Sequence, residues 1–192
     1  MIDFLSGKLG YRRLHGGGKN QLIAKAVGIK PRQILTVLDV TAGLGRDAFI
    51  LATLGCKMVM IERSAIMGAQ LRDALNRASL EPWFQKLSLQ LIEDDAKHSL
   101  SRITADNHPD VIYIDPMFPP KNKSALVKKE MRDLRDIVGD DLDADALFEI
   151  ALPLAKKRVV IKRARHAPCI SDRKPDVVFE GKSSRFDVYL RF

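Results

Sequence analysis

The stretch V-L-D-V-T-A-G-L-G-R-D-A-F, Val37 to Phe49, decides the fold. A short apolar run, Leu35, Val37 and Leu38, ends in a carboxylate, Asp39. A small-residue loop with Gly43 and Gly45 follows, and residues from Asp47 to Leu54 have the composition of a helix start. Strand, glycine loop and helix N-terminus together grip a nucleotide-like cofactor. Glycine lets the backbone come close, and the unpaired N–H groups of the first helical turn face the ligand. Gly43-x-Gly45-x-x-Ala48 fits the dinucleotide fingerprint. Glu62, closing the next apolar run K-M-V-M-I-E, stands where that fingerprint wants an acid about 20 residues on.

Outward from this stretch, apolar runs alternate with helical patterns. Strands are expected at 35–40, 57–62, 87–92, 110–114 and 158–162, and two closing runs at 176–180 and 185–191, split by G-K-S-S, read as a hairpin. Helices are expected at 46–54, from a Ser64 cap to about 79, and at 96–103. Two more run from Ser124 to Gly139 and from Asp143 through Leu154. In the Ser64 helix, Ile66, Leu71, Ala74, Leu75 and Ala78 are spaced for one buried face. Residues 1–20 read as irregular, glycine-rich and basic; Gly16 to Gly18 with Lys19 are either a phosphate loop or a flexible leader. Asn20 is placed to cap a short helix that Gly28 stops. The expected division is a basic leader with a short helix over 1–30 and one domain over 31–192. The fold class is α/β, a doubly wound, seven-stranded, mostly parallel sheet of Rossmann-like type ending in an antiparallel hairpin.

The chain has 192 residues, a formal charge of +8 and 46% hydrophobic residues, enough for a core without staples. The basic excess suits a polyanion such as RNA. Two cysteines, Cys56 and Cys169, form no C-x-x-C pair, so neither a disulfide framework nor a zinc cluster is expected. His15, His98, His108 and His166 show no ligand spacing, and no metal is expected. No run approaches a membrane span and no secretory leader is visible, which points to the cytoplasm.

Acids close four successive strands: Asp39, Glu62, Asp95 and Asp115. Turns favour Asp, so one such acid is ordinary, but four line a crevice outside the strands' carboxyl ends. Class I methyltransferases, which bind S-adenosylmethionine (SAM), resemble the chain in having an acid four residues before the first glycine. Asp39 holds that place, where it meets the donor's ammonium and would repel a pyrophosphate. Asp115-Pro116-Met117-Phe118 resembles the (Asn/Asp)-Pro-Pro-(Tyr/Phe) motif of amino-group methyltransferases, with Met117 in place of the second proline. An exocyclic amine is a poor nucleophile, because its lone pair is drawn into the ring. A carboxylate held by a rigid turn accepts its N–H and aims it. Asp115 takes that role, Pro116 sets the backbone and Phe118 stacks on the base, which leaves its helix to be reached. Lys121, Lys123, Lys128, Lys129 and Arg132 adjoin this loop, and Arg163 and Arg165 follow strand 5; all suit phosphate contact.

D-V-T-A-G-L-G-R-D-A-F, I-E-R, D-P-M-F-P, K-S-A-L-V-K-K-E-M-R, D-L-D-A-D and S-S-R-F-D-V-Y together resemble the RsmJ-like family. These are guanine-N2 methyltransferases of bacterial small-subunit ribosomal RNA. The resemblance implies SAM as donor and a guanine near the 3′ end of 16S rRNA, free or in the small subunit, as target. It implies donor contacts at Arg46 and Asp47, at Glu62 and Arg63 (Glu62 toward the ribose), at Asp95 and Ala96 near the adenine, and at Asp115. It also implies a further N-terminal segment ahead of the part that matches Met1. Three other readings stay open: an adenine-N6 methyltransferase, a nicotinamide-dependent oxidoreductase, and a non-catalytic RNA-binding protein.

Overall fold

The computed structural model describes residues 2–116 and 144–191. Its centre is β1 (Thr36–Asp39), flanked by β2 (Lys57–Glu62) on one side and β4 (Val111–Ile114) on the other, both parallel to it. β3 (Leu89–Glu93) continues outward from β2, and β5 (Arg158–Ala164) from β4. β6 (Val177–Glu180) and β7 (Ser184–Leu190) form the closing hairpin, with β7 inserted antiparallel between β5 and β6. The order is β3-β2-β1-β4-β5-β7-β6. The chain builds outward from β1 through β3 and then returns to β4. The switch point therefore lies between the carboxyl ends of β1 and β4, where such sheets bind ligands.

Helices cover both faces, and the strands' side-chain alternation shows why. Val37, Met58, Met60, Val111, Tyr113 and Val160 enter one core, with α3 (Arg46–Thr53) and α4 (Ala65–Ala78) packed on them. Their neighbours Leu38, Ile61, Ile112, Val159 and Ile161 enter the other, under α5 (Ala96–Ser101) and α6 (Ala144–Leu154). A strand buried on both faces reads as an unbroken apolar run, as V-I-Y-I does.

The helix starts follow their caps. The Ser64 hydroxyl accepts from the Met67 N–H, and Asp95 accepts from the N–H groups of Lys97 and His98. In α4, Leu71, Ala74 and Ala78 are buried as expected, but Ile66 is 57% exposed and Met67 takes the core position. In the first turn, one residue's step turns the side chain by about 100°, and the Ser64 cap sets Met67 inward.

The expectation of an irregular stretch over residues 1–20 does not hold. Gly7–His15 is a helix, α1, beside α3. Ile2 and Phe4 ahead of it are buried, and Phe4 stacks on Phe49 at 5.1 Å between centroids. These residues fold because the apolar side chains bracketing a basic surface stripe find a core to enter. The next helix, α2 (Leu22–Val27), starts after Gln21 rather than Asn20, with no side-chain cap, and ends at Gly28 with φ 83°, as expected of a left-handed stop. The helix expected after Ser124 lies outside the described residues. Among those residues, no helix is long and apolar enough to cross a membrane.

Candidate active site

The glycine loop leaves β1 through Asp39 and enters α3 at Arg46. Gly43 (φ 52°) and Gly45 (φ 65°) both have left-handed backbones, but their surroundings differ. A Cβ on Gly45 would meet Leu71 at 2.9 Å, Phe4 at 3.2 Å and Met60 at 3.3 Å, so this glycine serves close packing. A Cβ on Gly43 would meet nothing nearer than the Thr41 carbonyl at 3.9 Å, so the backbone there faces open space. Glu62, only 5% exposed, braces the loop: its carboxylate accepts from the Gly43 N–H and the Ser64 N–H, each at 2.8 Å. The second strand's acid is thus a strut between the loop and the start of α4. Arg46 and Arg63 are exposed beside it.

At the switch point Asp39 is 2% exposed and accepts from the Thr41 N–H at 3.1 Å. Burial raises its carboxyl to about pKa 8, against the pull of that hydrogen bond, and the charges of Asp115 and Asp47 push the same way. Asp115 stands one residue past β4, its N–H donating to the Thr41 hydroxyl. Asp95 caps α5 on the exposed rim and Ala96 is buried behind it. Pro116 is buried; Phe118, Lys121, Lys123, Lys128, Lys129 and Arg132 lie outside the described residues.

Between Asp115 and the loop runs a network that local sequence does not announce. Lys162 Nζ donates to Asp115 Oδ2 at 2.7 Å and to Asp47 Oδ2 at 2.8 Å. The Tyr113 hydroxyl donates to the same Asp47 oxygen at 2.8 Å, and Arg12 of α1 donates to the other at 3.0 Å. Burial would raise the Asp47 carboxyl, but Lys162 and Arg12 outweigh it and hold it at about pKa 2. Burial would likewise lower the Lys162 ammonium, but Asp115 and Asp47 outweigh that and raise it above its ordinary value. Asp47, implied as a donor contact, thus accepts three hydrogen bonds from the protein itself and acts as the network's anchor.

One expected RNA contact is corrected. Arg163 is 5% exposed, and it donates to the Pro168 carbonyl at 2.6 Å. Successive strand residues face opposite ways, so Lys162 reaches the site and Arg163 turns under the loop that follows β5. Arg165 is exposed, 3.7 Å from Glu180. Among the described residues, no three His, Cys, Asp or Glu side chains gather into a metal-binding group.

SAM fits this crevice on its chemistry. Among the described residues three carboxylates, Asp39, Asp47 and Asp115, meet two cations, Lys162 and Arg12. A buried carboxyl raised to about pKa 8 is an acceptor that a cationic ligand relieves. The open backbone at Gly43, in the loop that leaves Asp39, can be approached closely by such a ligand.

Sheet order, reversed closing strand and acid-lined switch point together define a class I, SAM-dependent methyltransferase. The chain belongs to the RsmJ family of these enzymes. A family described as "Putative SAM-dependent methyltransferase" matches residues 1–191. A protein of Coxiella burnetii named Ribosomal RNA small subunit methyltransferase J is 57% identical over 189 residues, 98% of this chain and 74% of its own. One of the same name from Aeromonas hydrophila is 53% identical over 193 residues, 98% of this chain and 77% of its own. The crystal structure of a SAM-dependent methyltransferase from Neisseria gonorrhoeae superposes with a TM-score of 0.76 at 36% identity, over 99% of this chain and 74% of that one. The family membership removes the nicotinamide-dependent reading.

Proposed function

We propose that this enzyme methylates the exocyclic N2 amine of a guanine in 16S ribosomal RNA, in the cytoplasm, as naked RNA or within the small subunit. The carrying observation is the Asp115 carboxylate, fixed at the switch point by its backbone bond to Thr41 and its ion pair with Lys162. The relatives' shared name, a small-subunit rRNA methyltransferase, supplies the substrate class.

The donor brings a methyl group on a sulfonium, whose charge is lost as carbon passes to nitrogen. Asp39 answers the donor's ammonium, the open backbone at Gly43 takes its length while Gly45 packs the loop against the core, and Glu62 and Arg63 flank its ribose. Arg46, Asp95 and Ala96 border the same trough. Asp115 accepts an N–H of the target amine, which raises electron density on nitrogen and turns its lone pair toward the methyl. As the C–N bond forms, the methyl–sulfur bond breaks with its electron pair staying on a neutral thioether, and the proton on nitrogen leaves toward that carboxylate and on to water. Pro116 stiffens the elbow and Phe118 stacks on the extruded base. Lys121, Lys123, Lys128, Lys129, Arg132 and Arg165 contact phosphates, which adds affinity without reading sequence.

The test is to incubate the enzyme and labelled donor with small subunits, or naked rRNA, from cells lacking the modification, and to map the labelled nucleoside by mass spectrometry. N2-methylguanosine at one site is the expected product. Label on adenine N6 overturns the base assignment. Donor binding without transfer to any RNA overturns the catalytic reading.

A further inference from the structure

We propose that Lys162 is a positioning residue for methyl transfer, holding the Asp115 carboxylate ionised and aimed by bridging it to Asp47. This deepens the reading above and rests on it for Asp115's catalytic role.

The placement comes from the sheet. β4 and β5 pair in parallel with Ile114 opposite Ile161, so the next residues, Asp115 and Lys162, leave the ladder side by side. Lys162 then spans two carboxylates at 2.7 and 2.8 Å with 29% of its side chain exposed, a setting in which solvent screens the pair only in part. A lysine serving only to staple β5 needs one partner. This one separates two acids that would otherwise repel each other across a shared, partly solvated space.

The described elements around Asp115 argue for the same role. Among the described residues, Asp39 comes from β1, Asp47 from α3 and the Tyr113 phenol from its own strand, and Lys162 from β5 is a cation in direct contact. Removing that ammonium takes a positive charge away from 2.7 Å of the Asp115 carboxylate and leaves Asp39, Asp47 and the Tyr113 phenol in place, a change that favours the protonated acid. A protonated carboxyl donates one hydrogen where the target amine needs an acceptor. Asp47 completes the device. Its carboxylate is fixed by Arg12 and Tyr113 in the first turn of α3, so the bridge ties Asp115's rotamer to the helix that the glycine loop feeds.

The experiment follows the side-chain carboxyl carbons of 13C-labelled, ligand-free protein by NMR over pH, with the Asp115 signal assigned by its loss in Asp115→Asn. In Lys162→Gln the Asp115 titration is expected to move up by about one pH unit or more. The acid limb of the transfer rate should move with it, so that raising the pH restores part of the lost activity. Lys162→Arg keeps the charge and should keep the limb at its wild-type pH, with a lower plateau. An unmoved Asp115 titration in Lys162→Gln, or activity lost equally at every pH, overturns the proposal. Should Lys162→Gln fail to fold, an upward shift in Lys162→Arg overturns it and an unmoved limb supports it. Full transfer by Asp115→Asn would instead sink the catalytic reading of Asp115, while the ligand-free titration still judges the hold of Lys162 on that carboxylate.

Discussion

The backbone N–H of Asp115 donates to the Thr41 hydroxyl at 2.6 Å, which fastens the end of β4 to the loop leaving β1. The same hydroxyl lies 3.5 Å from Asp39 Oδ1, toward which it donates. Thr41 thus orders the two acids that flank the switch point. Valine has threonine's shape without the oxygen, so Thr41→Val removes the acceptor and leaves the packing. Expected is a stability loss of about 1 kcal/mol, the typical net worth of one hydrogen bond. The transfer rate should fall about tenfold or more, since small misplacements of a reacting group are costly. Thr41→Ser should retain most of both. Chemical unfolding and single-turnover kinetics check the pair, and equal rates for Val and Ser would contradict the role given to the hydroxyl.

Asp39 makes stability and donor binding respond oppositely to pH. Its carboxyl is raised from the ordinary 3.8 to about 8, so the folded chain keeps a proton that the unfolded chain has released between those values. That contribution to stability is fully present below about 3.8 and is lost as pH rises through about 8. Asp47 works in a separate window: held at about 2, it contributes above 3.8 and loses that only as pH falls through about 2. The donor's ammonium needs Asp39 as the anion. Donor affinity should therefore climb between pH 6 and 8 and level off above about 8, with a proton released on binding at pH 7. Calorimetry with S-adenosylhomocysteine in buffers of different ionisation heat measures that proton. Asp39→Asn should raise the melting temperature at pH 8.5 and weaken the analogue about tenfold or more, the worth of one charge-assisted hydrogen bond. Affinity independent of pH would remove Asp39 from the ammonium site.

Much of this architecture is legible in the chain, and the gaps have physical causes. β2 occupies the expected 57–62, because an apolar run between Gly55 and Ser64 has clear stops. The strand-end acids Asp39, Glu62 and Asp115 are visible because each breaks an apolar run, and two of them, Asp39 and Asp115, feel each other's charge across the switch point. What Glu62 braces is hidden, since its partners at Gly43 and Ser64 are set by tertiary placement. Lys162 is hidden for another reason. In R-V-V-I-K-R-A-R the basic residues look alike, and only the β4–β5 register separates Lys162, which reaches Asp115, from Arg163, which is buried. Period two says these neighbours face apart, but not which faces the site. Helix α1 is missed because its glycines, Gly7 and Gly10, argue against a helix and its anchors lie far off: Phe4 on Phe49 and Arg12 on Asp47.

The two glycines of the loop should fail differently when given a side chain. Gly45→Ala forces a methyl to within 2.9 Å of Leu71 and close to Phe4 and Met60, on a backbone at φ 65°. The overpacking and the left-handed strain together should cost about 2–3 kcal/mol of stability, with donor affinity changed little once the protein is folded. Gly43→Ala pays only the backbone strain, about 1 kcal/mol, because its methyl enters open space. That space is where the donor is proposed to lie, so donor affinity should fall by about tenfold or more while stability is nearly kept. Denaturant unfolding beside calorimetric titration separates the two. Both variants losing only stability would mean that the donor lies away from Gly43.

Asp115 sits at the meeting of donor, network and elbow, and its removal separates binding from chemistry. The carboxylate touches Lys162 and is directed at the target amine, whereas the donor's ammonium is met by Asp39 and its length by the loop backbone. Asp115→Ala should therefore lower the transfer rate by about a thousandfold or more, because an interaction used in the transition state is lost. S-adenosylhomocysteine affinity should change less than about threefold, far short of that loss. Lys162 keeps Asp47 as a partner in the variant, so the fold should hold, and the melting temperature reports whether it does. A donor affinity that falls in step with turnover would make Asp115 a binding residue for the donor. The methyl-accepting elbow would then have to be sought outside the end of β4.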